Sequence, residues 1–154
     1  MAEILFPEIF SNIEDVTVEE SDDSFLGYKP SVYFDFETGD FLRDGTNKLI
    51  ASSGTDAWVQ WCIKCLSTPR YDCLAYSTDF GIDYEAIFSS SSRAEAENNI
   101  TREVEEALSA DPYRRLSYIE NIVFDWEDDT TVNVTVTLVG VDGNTAVINT
   151  KLAA

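Results

Sequence analysis

The chain has 154 residues, enough for one domain with a real core and no need of disulfides or metals. Its 29 acids against 10 bases give a net charge of -19, which excludes binding nucleic acid by phosphate neutralisation and adhesion to anionic lipid. Histidine is absent, which removes His triads, His metal sites and the usual proton shuttle, while 44% hydrophobic residues exclude a wholly disordered chain.

Residues 1–29 carry Glu3, Glu8, Glu14, Asp15, Glu19, Glu20, Asp22 and Asp23, with no base before Lys29. Apolar residues such as Ile4, Phe6, Phe10, Ile13 and Phe25 are scattered among them, so this is more than a bare acidic tail. It reads as an extended acidic arm that docks on a partner, followed by a single domain over 30–154. The start, Met1 to Glu8, lacks the basic region and apolar run of a signal peptide. No apolar stretch approaches the roughly 20 residues of a membrane span. Three cysteines, Cys62, Cys65 and Cys73, are an odd count that suggests reduced thiols in a cytosol.

From Ser31 the pattern turns β. Val32, Phe34 and Phe36 alternate with Tyr33 and Asp35, and Glu37 to Asp40 is turn chemistry. Asp44-Gly45 marks a second turn, and Lys48 to Ile50 reads as a short strand. Thr55 is suited to cap a helix. Trp58, Trp61, Cys62, Cys65 and Leu66 then fall at i, i+3, i+4, i+7 and i+8 on one helical face, until Pro69. Arg70 to Ser77 is strand or turn, and Tyr84 to Phe88 one helical turn. The four serines Ser89–Ser92 are a break. A second main helix spans Arg93 to Ser109, with Ile100, Val104, Ala107 and Leu108 buried and Glu95, Glu97, Glu103, Glu105 and Glu106 solvated. Asp111-Pro112 stops it.

The last third is β. Ile122, Phe124 and Trp126 alternate, an acidic turn follows at 127–130, and Val132, Val134, Val136 and Leu138 alternate with Asn133, Thr135 and Thr137. Asp142-Gly143 signals a hairpin. Ala146, Ile148, Thr150 and Leu152 form the return strand. The sequence ends four residues after Thr150, so this strand reads as a sheet edge open to another chain. The core expected from these spacings joins Trp58, Trp61, Leu66, Ile100, Val104, Leu108, Phe124 and Trp126.

Cys62-Ile63-Lys64-Cys65 has the CxxC spacing. A zinc site needs four ligands, and a thioredoxin-like site needs the motif at a helix start. Both cysteines instead sit within the apolar face of a helix, as small core residues. Carboxylates are abundant, but nothing singles out an acid/base pair such as Glu103 with Glu106 or Asp125 with Asp128. Asp128, Asp129 and Asp142 could crowd a calcium ion, though without the loop spacing of an EF-hand. No phosphate loop is present. By elimination the chain reads as a binding or structural element, with no catalytic residue, no metal and no cofactor.

The ordered series Asp35-Phe36-Glu37-Thr38-Gly39-Asp40-Phe41, Asp44-Gly45-Thr46, Trp58-Val59-Gln60-Trp61, Arg70-Tyr71 and Tyr76 to Tyr84 resembles the small phage baseplate proteins of PBSX-like defective prophages. The likeness continues through Ile100 to Leu108, Asp111-Pro112-Tyr113 and Val123-Phe124. That family is related to the baseplate wedge and sheath initiator proteins of contractile tails and tailocins. The resemblance implies an α+β fold, with two main helices on a small, mostly antiparallel sheet. It implies no catalysis and six copies around the tail tube. Sheath protein, tail tube protein and other wedge proteins would be partners, and nucleic acid and membrane would not. The protein would sit in a phage or tailocin baseplate, assembled in the host cytoplasm. Wedge initiators carry Glu-Pro-Arg after the second helix. Here the place reads Asp111-Pro112-Tyr113-Arg114-Arg115, the acid shortened and the arginine displaced by one, and the implied partner-binding pair is Asp111 and Arg114.

The hairpin of Val132, Val134, Val136 and Leu138 with Ala146, Ile148, Thr150 and Leu152 is then the expected docking edge for the first sheath ring, by strand addition. On this reading a proline at Ile148 would remove an edge donor and spare the core. The rival readings are an acidic inhibitor that mimics nucleic acid to block a basic cleft, and a tail-associated glycan hydrolase.

Overall fold

The computed structural model describes residues 29–154. The acidic arm, apart from Lys29, lies outside the described residues. Four two-residue strands come first: β1 (Ser31–Val32), β2 (Phe34–Asp35), β3 (Asp40–Phe41) and β4 (Ala51–Ser52). The helices α1 (Gly54–Ser67), α2 (Tyr84–Phe88) and α3 (Arg93–Ser109) follow, and then the long strands β5 (Leu116–Trp126), β6 (Thr131–Gly140) and β7 (Thr145–Ala153). The fold is α+β, with antiparallel sheets, as the patterning implied.

The three long strands form one antiparallel sheet in the order β5-β6-β7. Period-2 alternation puts Val132, Val134, Val136 and Leu138 of β6 on one face, beside Ala146, Ile148, Thr150 and Leu152 of β7. That face is the core, and both helices cover it: α1 lies on β7 and α3 on β5. Trp58, Cys62, Cys65 and Leu66 of α1 and Ile100, Val104, Ala107 and Leu108 of α3 meet it there. Among the described residues nothing covers the other face of the sheet, where Tyr118, Val123 and Val147 are exposed. Gly143, at a φ of +81°, supplies the left-handed residue that closes the β6–β7 turn where Asp142-Gly143 signalled a hairpin.

Local chemistry accounts for the start of α3. The Ser92 hydroxyl accepts from the Glu95 backbone N–H, and the Glu95 carboxylate accepts from the Ser91 N–H and hydroxyl, a capping box shifted by one residue. The start of α1 differs from the sequence expectation. Ser53 occupies the cap position, and Thr55 lies inside the first turn. The Thr55 hydroxyl is used elsewhere: it donates to Asp142 at 2.7 Å, pinning α1 to the β6–β7 turn.

The N-terminal strands are shorter than their alternation suggested. β1 pairs only with β4, and β2 only with β3, so the segment is a bent ribbon rather than one strand. The strand expected over 48–50 reduces to a bridge between Leu49 and Arg43, and pairing resumes at Ala51. The ribbon is held on α1 by the Tyr33 hydroxyl, which donates to Asp56, and by the Phe34 N–H, which donates to Gln60 at 3.0 Å.

Of the expected core, Trp58, Leu66, Ile100, Val104 and Leu108 are buried, while Trp61, Phe124 and Trp126 are partly buried against it. Trp61 packs edge-on against Phe80 and under the Arg115 guanidinium. The larger loss therefore belongs to Trp58. Trp58→Ala should cost about 3–5 kcal/mol and the half-buried Trp61→Ala about 2 kcal/mol, read from denaturant midpoints. An equal or reversed ranking would contradict this assignment of the α1 face.

Candidate docking edge

An antiparallel ladder alternates residues that bond inward with residues whose N–H and C=O point away. β6 and β7 pair without a register shift from Val139↔Thr145 to Thr131↔Ala153. Two bonds at the ends of this ladder fix its phase: Ala154 N–H donates to Thr130 C=O, and Gly140 N–H to Asn144 C=O. Both pairs are even-numbered, so Ala146, Ile148, Thr150 and Leu152 bond inward to β6. The outer rim of β7 is carried by the backbones of Thr145, Val147, Asn149, Lys151 and Ala153. That rim runs without a register shift over the nine residues of β7 and is unpaired among the described residues. The rim of β5 is different: its pairing shifts register twice, between Leu116 and Tyr118 and between Ile119 and Asn121. Bulges of this kind twist an edge and blunt it against added strands.

This phase shows which groups of the residues expected to bind a partner point outward. β6 is the central strand: the backbones of Val132, Val134, Val136 and Leu138 bond to β7, those of the residues between them to β5, and the four side chains lie in the core. Ala146, Ile148, Thr150 and Leu152 belong to the rim strand but present neither side chain nor N–H outward. The proline expectation changes with them. Ile148→Pro would break the β6–β7 ladder and disturb a core side chain. Asn149→Pro is the substitution that removes a rim donor. The sequence showed the alternation but not its phase, because phase depends on which residues the turn brings together.

The rim carries little charge protection. Lys151, the base on β7, bonds Glu127 at 2.7 Å. That bond and one from Asn133 hold the Glu127 carboxyl below its usual pKa. Across the open face the Thr135 hydroxyl donates to Asn149 at 2.8 Å.

The acid–arginine cluster after α3 contains Asp111 and is completed within the domain. Asp111 is buried and pairs with Arg115 rather than Arg114. Its carboxylate accepts from Arg115 Nε at 2.8 Å and Nη2 at 2.9 Å, and from the backbone N–H groups of Arg115 and Tyr113. Arg114 adopts a φ of +50°, which turns the chain so that Arg115 points inward, between the rings of Trp61 and Tyr113. Arg114 itself is exposed. The spacing of four between Asp111 and Arg115 was the available signal for this pair.

A second ion pair corrects the solvated face of α3. Glu103 is buried and meets Arg70 at 3.1 Å, and Arg70 also reaches Glu106 at 3.3 Å. Burial works against the Arg70 charge, but Glu103 and Glu106 outweigh it and raise its pKa. Cys62 and Cys65 lie in the core, where burial raises both thiol pKa values and Cys65 Sγ faces the Ala107 carbonyl at 3.4 Å. Asp128 and Asp129 lie at the opposite end of β6 from Asp142, roughly 30 Å away for a ten-residue strand, so the three do not crowd one ion. Among the described residues no group of three or more acids and cysteines is placed to hold a metal, and no helix is long and apolar enough to cross a membrane.

The class defined by this fold is an α+β protein whose buried acids, Glu103 and Asp111, are tied to arginines and whose three-stranded sheet has an unpaired rim among the described residues. A family model described as the contractile injection system sheath initiator matches residues 31–143, and the chain belongs to that family. It is a structural component of a contractile tail, at the baseplate. The match runs from β1 to the β6–β7 turn, and β7 follows it. No curated protein sequence matches the chain.

Proposed function

We propose that this protein starts sheath assembly by receiving, on the outer rim of β7, an extended strand from the first ring of sheath subunits. Six copies around the tail tube, held among wedge proteins, would present six such rims and set the rotational order of the sheath. The acidic arm, residues 1–29, would tie each copy to a basic surface on a neighbouring component, with the particle assembled in the host cytoplasm. The observation that carries the reading is the β7 rim, which has no register shift and is unpaired among the described residues, since strand addition draws its affinity from main-chain hydrogen bonds. Membership in the sheath initiator family supports sheath as the partner.

The test is a proline at a rim donor. Asn149→Pro removes one outward N–H from an exposed position where an edge strand tolerates proline. Particles made with it should have baseplates and tubes but unsheathed or irregularly sheathed tails, seen by negative-stain microscopy, while the purified variant keeps a cooperative melt. Ile148→Pro should instead lose the fold. Regular sheaths on particles carrying a folded Asn149→Pro protein would rule the β7 rim out.

A further inference from the structure

α1 lies on β7, and two contacts fix its rotation there. Thr55 bonds Asp142 in the β6–β7 turn, and Cys65 faces Ala107 of α3. At 3.6 residues per turn, Thr55 and Leu66 share the side over β7, and Val59 and Ile63 come next around the helix, away from α3. Asp56 and Gln60 follow, and both are engaged by the N-terminal ribbon through Tyr33 and Phe34. Val59 and Ile63 thus occupy the strip between the β7 rim and the ribbon, and both are half-buried.

We infer that Val59 and Ile63 form an apolar shelf beside the β7 rim, and that the strand received there is an amphipathic segment of the sheath subunit whose alternate apolar residues pack on this shelf. The inference rests on the rim reading proposed above. Residues directly opposite one another in a sheet share a face. Incoming residues opposite Ile148 and Thr150 therefore point to the side of α1, where the shelf awaits them. Those between them share the open face with Val147, Asn149 and Lys151, close to Glu127. Polar and basic residues suit that face on a chain with net charge -19. The shelf also sets register, because a slip of one residue would turn the apolar set outward and bury the polar one.

The experiment measures binding of the purified sheath subunit from the same particle to the full-length protein and its variants, each checked by thermal melt. Ile63→Glu and Val59→Glu should each weaken binding by about tenfold or more, while Val123→Glu on the open face of β5 should change it less than about twofold. If a glutamate variant melts early, Ile63→Ser, which keeps the size modest and adds no charge, is read by the same criterion. Loss with Asn149→Pro but not with the folded shelf variants overturns the shelf and leaves the rim standing. Full binding by Asn149→Pro overturns the rim itself. Equal losses with Val123→Glu and the shelf variants overturn the shelf as a specific contact.

Discussion

Arg115→Met should destabilise the protein by about 3–5 kcal/mol, the loss that follows when one partner of a buried ion pair is removed. Asp111 would keep its charge in a site where Arg115 now supplies three of its four hydrogen bonds. One of those, from the Arg115 backbone, survives the substitution, which puts the loss toward the lower end of that range. The rings of Trp61 and Tyr113 lose the guanidinium between them as well. Arg114→Ala, by contrast, should change stability by less than about 0.5 kcal/mol, apart from the strain its left-handed backbone already carries. The double variant Asp111→Asn with Arg115→Met should recover part of the single-variant loss, since no unpaired charge remains. Urea titrations of the four proteins measure all of this. A midpoint for Arg115→Met equal to the parent's would mean that the pair is solvated and that the cluster does not anchor the turn after α3.

The second large effect is a loss of stability in alkali. Burial pushes the Cys65 thiol up to about 11 from an unperturbed 9.0, and Cys62 is raised for the same reason. A raised folded pKa on an acid means that the unfolded chain releases its proton first. The stabilisation is complete below about pH 9 and is lost as pH rises toward 11, because ionisation then favours the unfolded state. Each unit of separation is worth 1.36 kcal/mol, so each thiol should contribute a loss of about 2 kcal/mol by pH 11, or about 4 kcal/mol together. Tyr84, raised by burial, bends the curve in the same direction. Guanidinium melts between pH 7 and 11 on the parent and on Cys62→Ala/Cys65→Ala isolate the thiols. The double variant should be less stable at pH 7 but fall less steeply above pH 9. Parallel curves would mean that the thiols titrate at ordinary values in the folded protein.

Much of the architecture is local and was legible for that reason. The alternation of β6 and β7 needs only neighbours two apart, and Asp142-Gly143 marks its turn without help from elsewhere in the chain. The apolar stripe of α3, its serine cap and the Asp111-Pro112 stop likewise depend on residues within one or two turns. The core role of Cys62 and Cys65 followed from their place in the stripe of α1. What the alternation could not carry was length: Val32 to Phe36 reads as one strand, yet its partners Asp40–Phe41 and Ala51–Ser52 are too short to extend it.

Tertiary structure decided which polar groups are inside and which backbone groups are free. Glu103 belongs by spacing to a charged helix face, but Arg70, 33 positions earlier, draws it into a buried pair. Thr55 reads as a cap until Asp142, 87 positions later, takes its hydroxyl. Arg115 rather than Arg114 meets Asp111 because one left-handed residue reverses the chain between them. The rim of β7 is the clearest case. Side-chain alternation shows that even residues face the core, but the direction of each N–H follows from the pairing across the turn, a relation between strands that no single strand's sequence contains.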